Sequence, residues 1–295
     1  MSLLHLRSFV EVYRQRSFSA AARSLRLTQP AVSQHVAALE SAIGHALFER
    51  QAKGVVPTPS ADELAAGLGD RLERAEAAFA QIRARSADLT GMVRIMGHGD
   101  FIAEVVMPRL LPLLAQGMRL RLISGDREDI RSALADGDCD LALSAYPIED
   151  RRFRSEVVHE ETLHAVAAPE VAARMSAAPS LSAALEQEPL LAFNLEQQVV
   201  EDWLTTNKLP QHVAQPAMIG HDLRCLRKML GLGFGWSVLP GYLCHAAIAA
   251  GELVEVPAPK AVPVNRYHLI WPTAALREPR VALARSAIRE SLGSA

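Results

Sequence analysis

A short polar face on one predicted helix carries the most distinctive chemistry in this chain. Residues 17–40 are predicted to form two helices joined by a tight turn, and Val32, Val36 and Leu39 form an apolar stripe along the second. Amide and hydroxyl side chains can hydrogen-bond base edges in the DNA major groove. The pattern favours a DNA-reading helix over an ordinary helical hairpin in a bundle. The outward face holds Gln29, Pro30, Ser33 and Gln34.

The start of this helix has its own signals. Thr28 is predicted as the N-cap, because its hydroxyl can accept a first-turn N–H, and Pro30 lies where a missing N–H has no cost. The preceding Ala20, Ala21 and Ala22 are small enough for close helix crossing. Residues 1–60 contain seven basic and three acidic side chains, whereas the whole chain has a formal net charge of −2. A basic module on an acidic body suits phosphate contacts.

The N-terminal segment resembles the winged helix-turn-helix of LysR-type transcriptional regulators. The resemblance rests on Ser17-Phe18, Ala21-Ala22, Gln29-Pro30-Ala31-Val32-Ser33 and Leu47-Phe48-Glu49-Arg50, in that order. It implies that Arg50 and Lys53 lie on the wing. Gln34 and His35 stand where many relatives have Arg, so the preferred bases differ from theirs. The predicted DNA contacts are Ser19, Thr28, Gln29, Pro30, Ser33, Gln34, Arg50 and Lys53.

Length and composition indicate several folded domains. A chain of 295 residues with 49% hydrophobic content can bury two or three cores. Its apolar runs are too short to cross a bilayer, and its N-terminus lacks a signal-peptide pattern, so we expect a cytoplasmic protein with no membrane contact. The three cysteines have no metal-ligand spacing; buried apolar roles are favoured over a thiol switch of Cys225 and Cys244. No metal or cofactor site is predicted.

A long helix is predicted from Ser60 to about Leu89. Ser60 and Glu63 have the spacing of a capping box. Apolar residues then recur every three or four positions, which predicts either pairing with a second copy or packing on the chain's own body. A single short reading helix rarely gives enough specific contact without a symmetric partner, which favours pairing. The predicted dimerisation residues are Leu64, Leu68, Leu72 and Phe79.

After Thr90-Gly91 the pattern becomes alternating strands and helices. Strands are predicted at 92–96, 120–123, 140–143, 162–167, 190–193, 217–219, 235–239 and 266–271. Helices are predicted at 102–114 (bent or divided at Pro108), 127–136, 197–207, 223–230 and 279–292. This order predicts an α/β fold with two lobes.

This second part also resembles the effector-binding portion of the same family, which is similar in fold to periplasmic binding proteins. Pro108-Arg109-Leu110-Leu111 and the segments 137–143 and 233–240 carry the resemblance. It implies a winged helix-turn-helix domain at 1–59, a dimerising linker helix at 60–90 and a two-lobed α/β effector domain at 91–295. Lobe I would comprise about 92–163 and 267–295, and lobe II about 164–266.

Ligands of such sheets bind beyond the carboxyl ends of strands and between lobes. Four predicted loops meet this rule, and their acids beside helix N-termini favour an amine-bearing or zwitterionic effector. Each residue has an alternative role in capping, loop bonding or the core. The predicted effector contacts are His98, Gly99, Asp100, Phe101, Ser144, Asn194, His221, Asp222 and Trp236.

The sequence therefore predicts a homo-oligomeric, effector-responsive transcriptional regulator rather than an enzyme. Its partners would be a double-stranded DNA operator, a small molecule, RNA polymerase and further copies of itself, as a dimer or tetramer. The alternatives are a solute-binding or catalytic protein on the same fold, which would not carry the basic module, and an architectural DNA binder, which would not need a two-lobed sensor. Neither a Gly-x-Ser-x-Gly elbow nor a complete dinucleotide loop is present.

Overall fold

A computed structural model describes residues 3–25, 27–51, 54–68, 71–72, 75, 91–150, 152–193, 198–210 and 215–292. Its N-terminal unit is three helices followed by a two-stranded antiparallel hairpin and a fourth helix. Two small apolar clusters, one around Val12, Val32 and Val36 and the other around Phe9 and Leu39, hold this unit together. The elements are α1 (Leu3–Gln15), α2 (Phe18–Leu25), α3 (Gln29–Ile43), β1 (Phe48–Gln51), β2 (Gly54–Pro57) and α4 (Pro59–Leu68).

The start of α4 differs from the predicted capping box. The Thr58 hydroxyl accepts the N–H of Ala61 at 3.3 Å, and its carbonyl accepts the N–H of Asp62 at 3.1 Å. The helix therefore begins at Pro59, and Thr58 rather than Ser60 supplies the oxygens that cap it. Proline is favoured in a first turn, where its missing N–H has no intrahelical partner to lose.

The first lobe is built around parallel strands with helices on both faces. Its strands β3, β4 and β5 lie side by side, with β3 in the centre. Its elements are β3 (Met92–Gly97), α5 (Gly99–Phe101), a π-helical segment (Ile102–Val106), α6 (Met107–Ala115), β4 (Arg119–Ser124), α7 (Arg127–Asp136), β5 (Leu141–Ser144) and, from the C-terminal part of the chain, α13 (Pro279–Leu292).

The second lobe contains short strands and more helices. Parallel strands β7 and β8 form a separate two-stranded sheet, and a bridge between Leu190 and Trp236 connects it to the main sheet. The elements are α8 (Pro169–Ala177), α9 (Leu181–Gln187), β7 (Leu191–Phe193), α10 (Gln198–Thr206), β8 (Met218–Gly220), α11 (Leu223–Gly231), β9 (Trp236–Pro240), α12 (Gly241–Ala249) and β10 (Val254–Glu255).

Two long strands connect the lobes. Strand β6 (Phe153–Ala167) pairs over its first part with β11 (Val264–Pro272) and over its last part with β9 and β10. Strand β11 also pairs with β5, so seven of the described strands, drawn from both lobes, form one mixed sheet in the order β10-β6-β11-β5-β3-β4, with β9 on β6. The chain thus crosses between the lobes twice, on adjacent antiparallel strands.

Separate apolar cores fill the two lobes. In lobe I, Ile95, Leu141 and Leu269 pack with α6 and α13 on one face of the sheet, while Ile130 and Leu134 of α7 cover the other. In lobe II, Trp203 and Trp236 belong to one cluster and Leu226 and Leu239 to another. None of the described helices is both long and apolar enough to cross a membrane.

The predicted helix at 102–114 is continuous but contains a wide turn. The N–H of Met107 bonds the carbonyl of Ile102, a five-residue spacing, immediately before Pro108. Because Pro108 has no N–H and its ring would clash with the carbonyl four residues earlier, the wider π turn accommodates it. Pro108 therefore neither divides nor ends the helix.

Candidate DNA interface and effector cleft

Helix α3 presents the predicted polar face to solvent. The Thr28 hydroxyl accepts the N–H of Ala31 at 3.4 Å, and the helix ends at Gly44, whose φ of +83° favours glycine. Val32, Val36 and Leu39 are buried. Gln29, Pro30 and Gln34 are exposed, Ser33 is half-buried, and Ser19 of α2 and Thr28 are exposed. The structure thus brings the predicted base-reading groups onto one accessible surface.

The surrounding helices fix the orientation of α3. Ala21 and Ala22 of α2 are buried against its apolar stripe. The Ser8 hydroxyl of α1 lies 2.8 Å from Nδ1 of His35, a half-buried residue of α3. His35 therefore has a packing role, and its ring lies 5.2 Å from that of His5.

The hairpin of β1 and β2 forms a wing attached to α3 by the carboxylate of Glu40, for which the sequence predicted no contact. Glu40 Oε1 accepts the N–H of Leu47 at 2.7 Å and that of Phe48 at 3.3 Å. Gly54 has a φ of +117°, and a Cβ there would lie 2.6 Å from the carbonyl oxygen of Arg16, so this approach requires glycine. Arg50 is exposed on β1, whereas Lys53 lies outside the described residues.

The predicted dimerisation stripe is partly used within the chain. Leu64 and Leu68 of α4 pack against the cluster of Phe9, Leu39 and Leu47, and Leu72 is buried. Packing on the chain's own body, the alternative reading of this stripe, thus applies to its first part. Phe79 lies outside the described residues.

A cavity of about 570 Å³ lies between the two lobes. It is bounded by the carboxyl end of β3, the N-terminus of α7 and the loop after β5 on lobe I, and by β7, α10 and the loop after β8 on lobe II. This agrees with the rule that ligands bind at the carboxyl ends of parallel strands. Its lining residues are His98, Asp126, Arg127, Glu128, Arg131, Tyr146, Ile148, Glu149, Phe193, Gln198 and His221.

His98 is a neutral polar group at this interlobe boundary. Burial lowers the pKa of its imidazole, although nearby Asp100 acts in the opposite direction. Its Nε2 is buried and has no hydrogen-bond partner among the described atoms. The ring meets Phe193 of lobe II edge-to-face, with centroids 6.2 Å apart. His98 of lobe I therefore contacts lobe II through Phe193, and its Nε2 is still able to form a hydrogen bond.

The cavity wall from α7 carries both signs of charge. Asp126 caps the helix, accepting the N–H groups of Glu128 and Asp129 at 2.9 and 3.0 Å. Glu128 is ion-paired with Arg131, and Arg127 donates to the carbonyl of Pro147 at 3.3 Å. The capping carboxylate already satisfies the first-turn donors, so this helix start does not act alone as an anion site.

Several predicted effector residues lie elsewhere. Phe101 and Trp236 are fully buried core side chains: the first stacks on Tyr267 at 3.6 Å, and the second donates its indole N–H to the carbonyl of Leu185. Ser144 is buried, and its hydroxyl accepts the N–H of Tyr146 at 3.1 Å. None of these three lines the cavity, because their local contacts point them into the lobes.

The two predicted acids are also bonded locally. Asp100 is only 3% exposed and accepts a hydrogen bond at 2.9 Å from the hydroxyl of Tyr242, a lobe II residue. Asp222 caps α11 and pairs with Arg224 at 2.7 Å, and that hydrogen bond lowers the pKa of the carboxyl. Neither lines the cavity.

Two of the remaining predicted effector residues, His98 and His221, line the cavity, one from each lobe. Gly99 begins α5 beside it, where a Cβ would lie 2.8 Å from the Ser124 hydroxyl. Asn194 lies outside the described residues.

Both parts of the chain match known sequence families. The family described as "Bacterial regulatory helix-turn-helix protein, lysR family" matches residues 3–62, and "LysR substrate binding domain" matches residues 86–293. The chain belongs to the LysR family. It is a DNA-binding transcriptional regulator of the LysR type with a domain for a small-molecule effector.

Similar LysR-type proteins share its full length. The transcriptional regulator AbaB of Streptomyces antibioticus is 33% identical over 301 residues, covering 99% of this chain and 98% of AbaB. Among solved structures, CrgA of Neisseria meningitidis aligns with a TM-score of 0.63 at 21% identity, covering 100% of both chains. Full-length LysG of Corynebacterium glutamicum with bound effector arginine aligns at 0.54 and 19% identity, covering 99% of each. These two structures share the fold.

Proposed function

We propose that this LysR-type regulator reads its operator through the exposed face of α3. The observation that carries the proposal is the coexistence of a buried apolar stripe with an exposed face of amides and hydroxyls on one capped helix. Gln29, Ser33 and Gln34 would contact base edges, since amide groups pair bidentately with adenine. Ser19, Thr28 and Pro30 would lie against the backbone nearby.

Arg50 and Lys53 would bind phosphates from the wing. Arg50 is exposed on a hairpin whose connection to α3 through Glu40 fixes where its charge is presented. Phosphate contacts supply affinity to all sequences and position the reading helix without themselves specifying bases.

The interlobe cavity is the proposed effector site. Its walls come from both lobes, so occupancy would change their relative position and hence the arrangement of reading heads on DNA and their contact with RNA polymerase. His98 and His221, with Gly99 beside the cavity and Asn194 after β7, remain candidates from the sequence. Tyr146, Glu149 and Gln198 join them.

We propose an amine-bearing or zwitterionic effector because of the charged residues that line the cavity, and not because of Asp100 and Asp222. Arg127 and Glu149 bring opposite charges to one cavity, which suits a ligand that carries both. In a thermal-shift screen, free amino acids should stabilise the protein more than their 2-hydroxy acid analogues. Glu149→Gln should abolish that preference and Glu252→Gln, an exposed control, should not; equal stabilisation by both sets would refute this effector class.

Self-association would use the linker helix over 60–90, with Phe79 more suited than Leu64 and Leu68, which pack on their own domain, or Leu72, which is buried within one chain. A second proposed surface, the edge of lobe I, comprises the edge strand β4 and the outer face of α6. Leu111 of α6 is 64% exposed and Leu122 of β4 is 40% exposed. We propose that these exposed apolar side chains join dimers into tetramers.

We assign a separate function to each predicted segment. Residues 1–59 would read DNA, residues 60–90 would pair with a second copy, and residues 91–295 would bind the effector, with lobe II at about 164–266 and lobe I on either side. We propose that the protein is a cytoplasmic regulator without enzymatic activity. Its relatives are transcriptional regulators, and its reading helix must reach DNA.

Base readout is tested on a duplex enriched from a random pool by the wild-type protein. Gln29→Ala and Gln34→Ala should each weaken binding to that duplex by about 1–3 kcal/mol while leaving binding to unselected DNA nearly unchanged. Ser41→Ala, on the exposed end of the same helix, is the matched control. An equal loss on selected and unselected DNA would show that these side chains do not read bases.

A further inference from the structure

Lobe II holds a close pair of histidines that neither DNA reading nor the effector cleft uses. His164 lies on β6 and His245 on α12, and their Nε2 atoms are 3.2 Å apart. The ring centroids are 4.9 Å apart with the planes at 70°. His245 is exposed, whereas His164 is mostly buried. The pair is therefore preformed and reachable from solvent on one side.

A carboxylate orients the buried member of the pair. Glu255 Oε1 lies 2.8 Å from Nδ1 of His164, and because a carboxylate only accepts, Nδ1 carries the hydrogen. In the neutral ring, Nε2 then has a single lone pair, with the Thr162 hydroxyl 2.8 Å and His245 Nε2 3.2 Å away, so a metal ion would replace the hydrogen bond that Nε2 accepts here. A histidine that donates its other N–H to a carboxylate is the usual arrangement behind a metal-ligating imidazole.

A third oxygen lies beside the pair. The point that a Cβ on Gly241 would occupy is 2.8 Å from His245 Nε2 and 2.8 Å from Glu161 Oε1. Glu161 Oε2 is held by His159 Nε2 at 3.0 Å, which leaves Oε1 turned toward this gap. Among the described residues, no group of three or more His, Cys, Asp or Glu side chains is placed to hold a metal ion as it stands. The arrangement is two imidazole nitrogens with a carboxylate oxygen that would have to move to join them.

We propose that His164 and His245 bind one divalent transition-metal ion of the zinc class, with Glu161 Oε1 as a third ligand after a small rotation and water completing the shell. Two nitrogens at their usual distance from tetrahedral zinc are about 3.4 Å apart, close to the separation found here. Mg²⁺ and Ca²⁺ prefer oxygen ligands and fit this pair poorly.

Such an ion would join α12 to β6 next to the contact between lobes. Helix α12 also carries Tyr242, whose hydroxyl bonds Asp100 of lobe I. Both histidines belong to lobe II, so metal binding would stiffen the contact between α12 and the end of β6 independently of which effector fills the cleft. Zinc-class ions would then act as a second ligand of the regulator.

The experiment uses full-length protein stripped with a chelator and then dialysed, titrated with Zn²⁺ by calorimetry and with Co²⁺ by visible absorption. We expect one saturable site per chain, a d–d spectrum of low-coordinate Co²⁺ and no response to Mg²⁺. His245→Gln should weaken binding at least tenfold, and Glu255→Gln, which acts through His164, by about 10–100-fold.

His45→Gln is the matched control, because His45 is exposed in the DNA-binding unit and should leave the titration unchanged. His245 is also exposed, so its variant should keep the metal-free unfolding temperature of the wild type. Absence of a saturable Zn²⁺ site, or Zn²⁺ and Co²⁺ titrations of His245→Gln that match the wild type, would overturn the proposal. Neither outcome bears on DNA readout or on the interlobe cleft.

Discussion

At the scale of single residues, the lobes are connected by a buried hydrogen bond that the sequence does not suggest. The Tyr242 hydroxyl donates to Asp100 Oδ2 and lies 3.2 Å from the Tyr267 hydroxyl. Burial raises the pKa of Tyr242 well above its ordinary value, so its hydroxyl stays protonated and can donate. Asp100 thus serves contact between the lobes rather than ligand binding, because its carboxylate is already occupied by a donor from lobe II.

Removing this donor should destabilise the sensor. In Tyr242→Phe the Asp100 carboxylate would stay buried without its partner, which costs about 1–3 kcal/mol of unfolding free energy. Tyr13→Phe is the control, since the Tyr13 hydroxyl donates to Asp62 at 2.7 Å in an exposed setting and its loss should cost little. Denaturant unfolding measures the free energy of unfolding of both variants. Equal losses would show that the interlobe hydrogen bond contributes no more than the exposed one.

The buried imidazole of His98 gives stability a pH dependence. Its pKa is lowered in the folded protein by burial, whereas an unfolded histidine titrates near 6.5. As pH falls below about 6.5, the unfolded chain therefore takes up a proton that the native His98 does not, and native stability decreases. His98→Gln should make unfolding free energy less sensitive to pH between about 6.5 and 5. Parallel pH profiles for the two proteins would contradict this origin.

At the scale of elements, α3 and the wing behave as one unit because Glu40 links them. The two N–H groups that its carboxylate accepts belong to the turn into β1 and to its first residue. The Glu40 side chain therefore accepts backbone N–H groups at the point where the chain enters β1. This contact adds to the apolar packing of Leu47 and Val55 in holding the wing beside α3.

Glu40→Ala should lower the unfolding free energy of the DNA-binding unit by about 1.5–3 kcal/mol, the range for hydrogen bonds to charged groups. Glu63→Ala, an exposed acid on α4, should change it by less than about 0.5 kcal/mol. Urea unfolding followed by circular dichroism compares them. If Glu40→Ala unfolds like Glu63→Ala, the wing is positioned by its apolar contacts alone.

Local pattern predicted the helices and strands that have strong periodicity. The helices at 127–136 and 279–292 are confirmed to the residue. The first part of β6 was missed because residues 153–161 are mostly polar, without the apolar/polar alternation that marks a strand, and its partner β11 is distant in sequence. Helices α8, α9 and α12 were also missed. Asp100 could not be oriented correctly, since its donor Tyr242 lies 142 positions away.

At the scale of the whole molecule, the effector domain is two lobes on adjacent crossing strands, and the linker segment joins it in sequence to the DNA-binding unit. The described apolar contacts of α3 lie within that unit. In the proposed function, the arrangement of copies is therefore the step that connects effector binding to DNA reading. The linker and the edge of lobe I are the two surfaces proposed for it.

Separate substitutions should separate these two surfaces. Phe79→Asp, in the predicted pairing stripe, should give monomers that lose operator binding, because one reading helix cannot supply the specific contact of two. Leu111→Asp should leave dimers but remove tetramers, because it places a charge on the exposed face of α6 without disturbing the core. Leu68→Asp is unsuitable as a test, since Leu68 packs on its own domain and the variant would also unfold it. Sedimentation velocity with the full chain measures the assembly state of each variant. Dimers in Phe79→Asp would exclude the linker as the pairing surface. Unchanged tetramers in Leu111→Asp would exclude the lobe I edge.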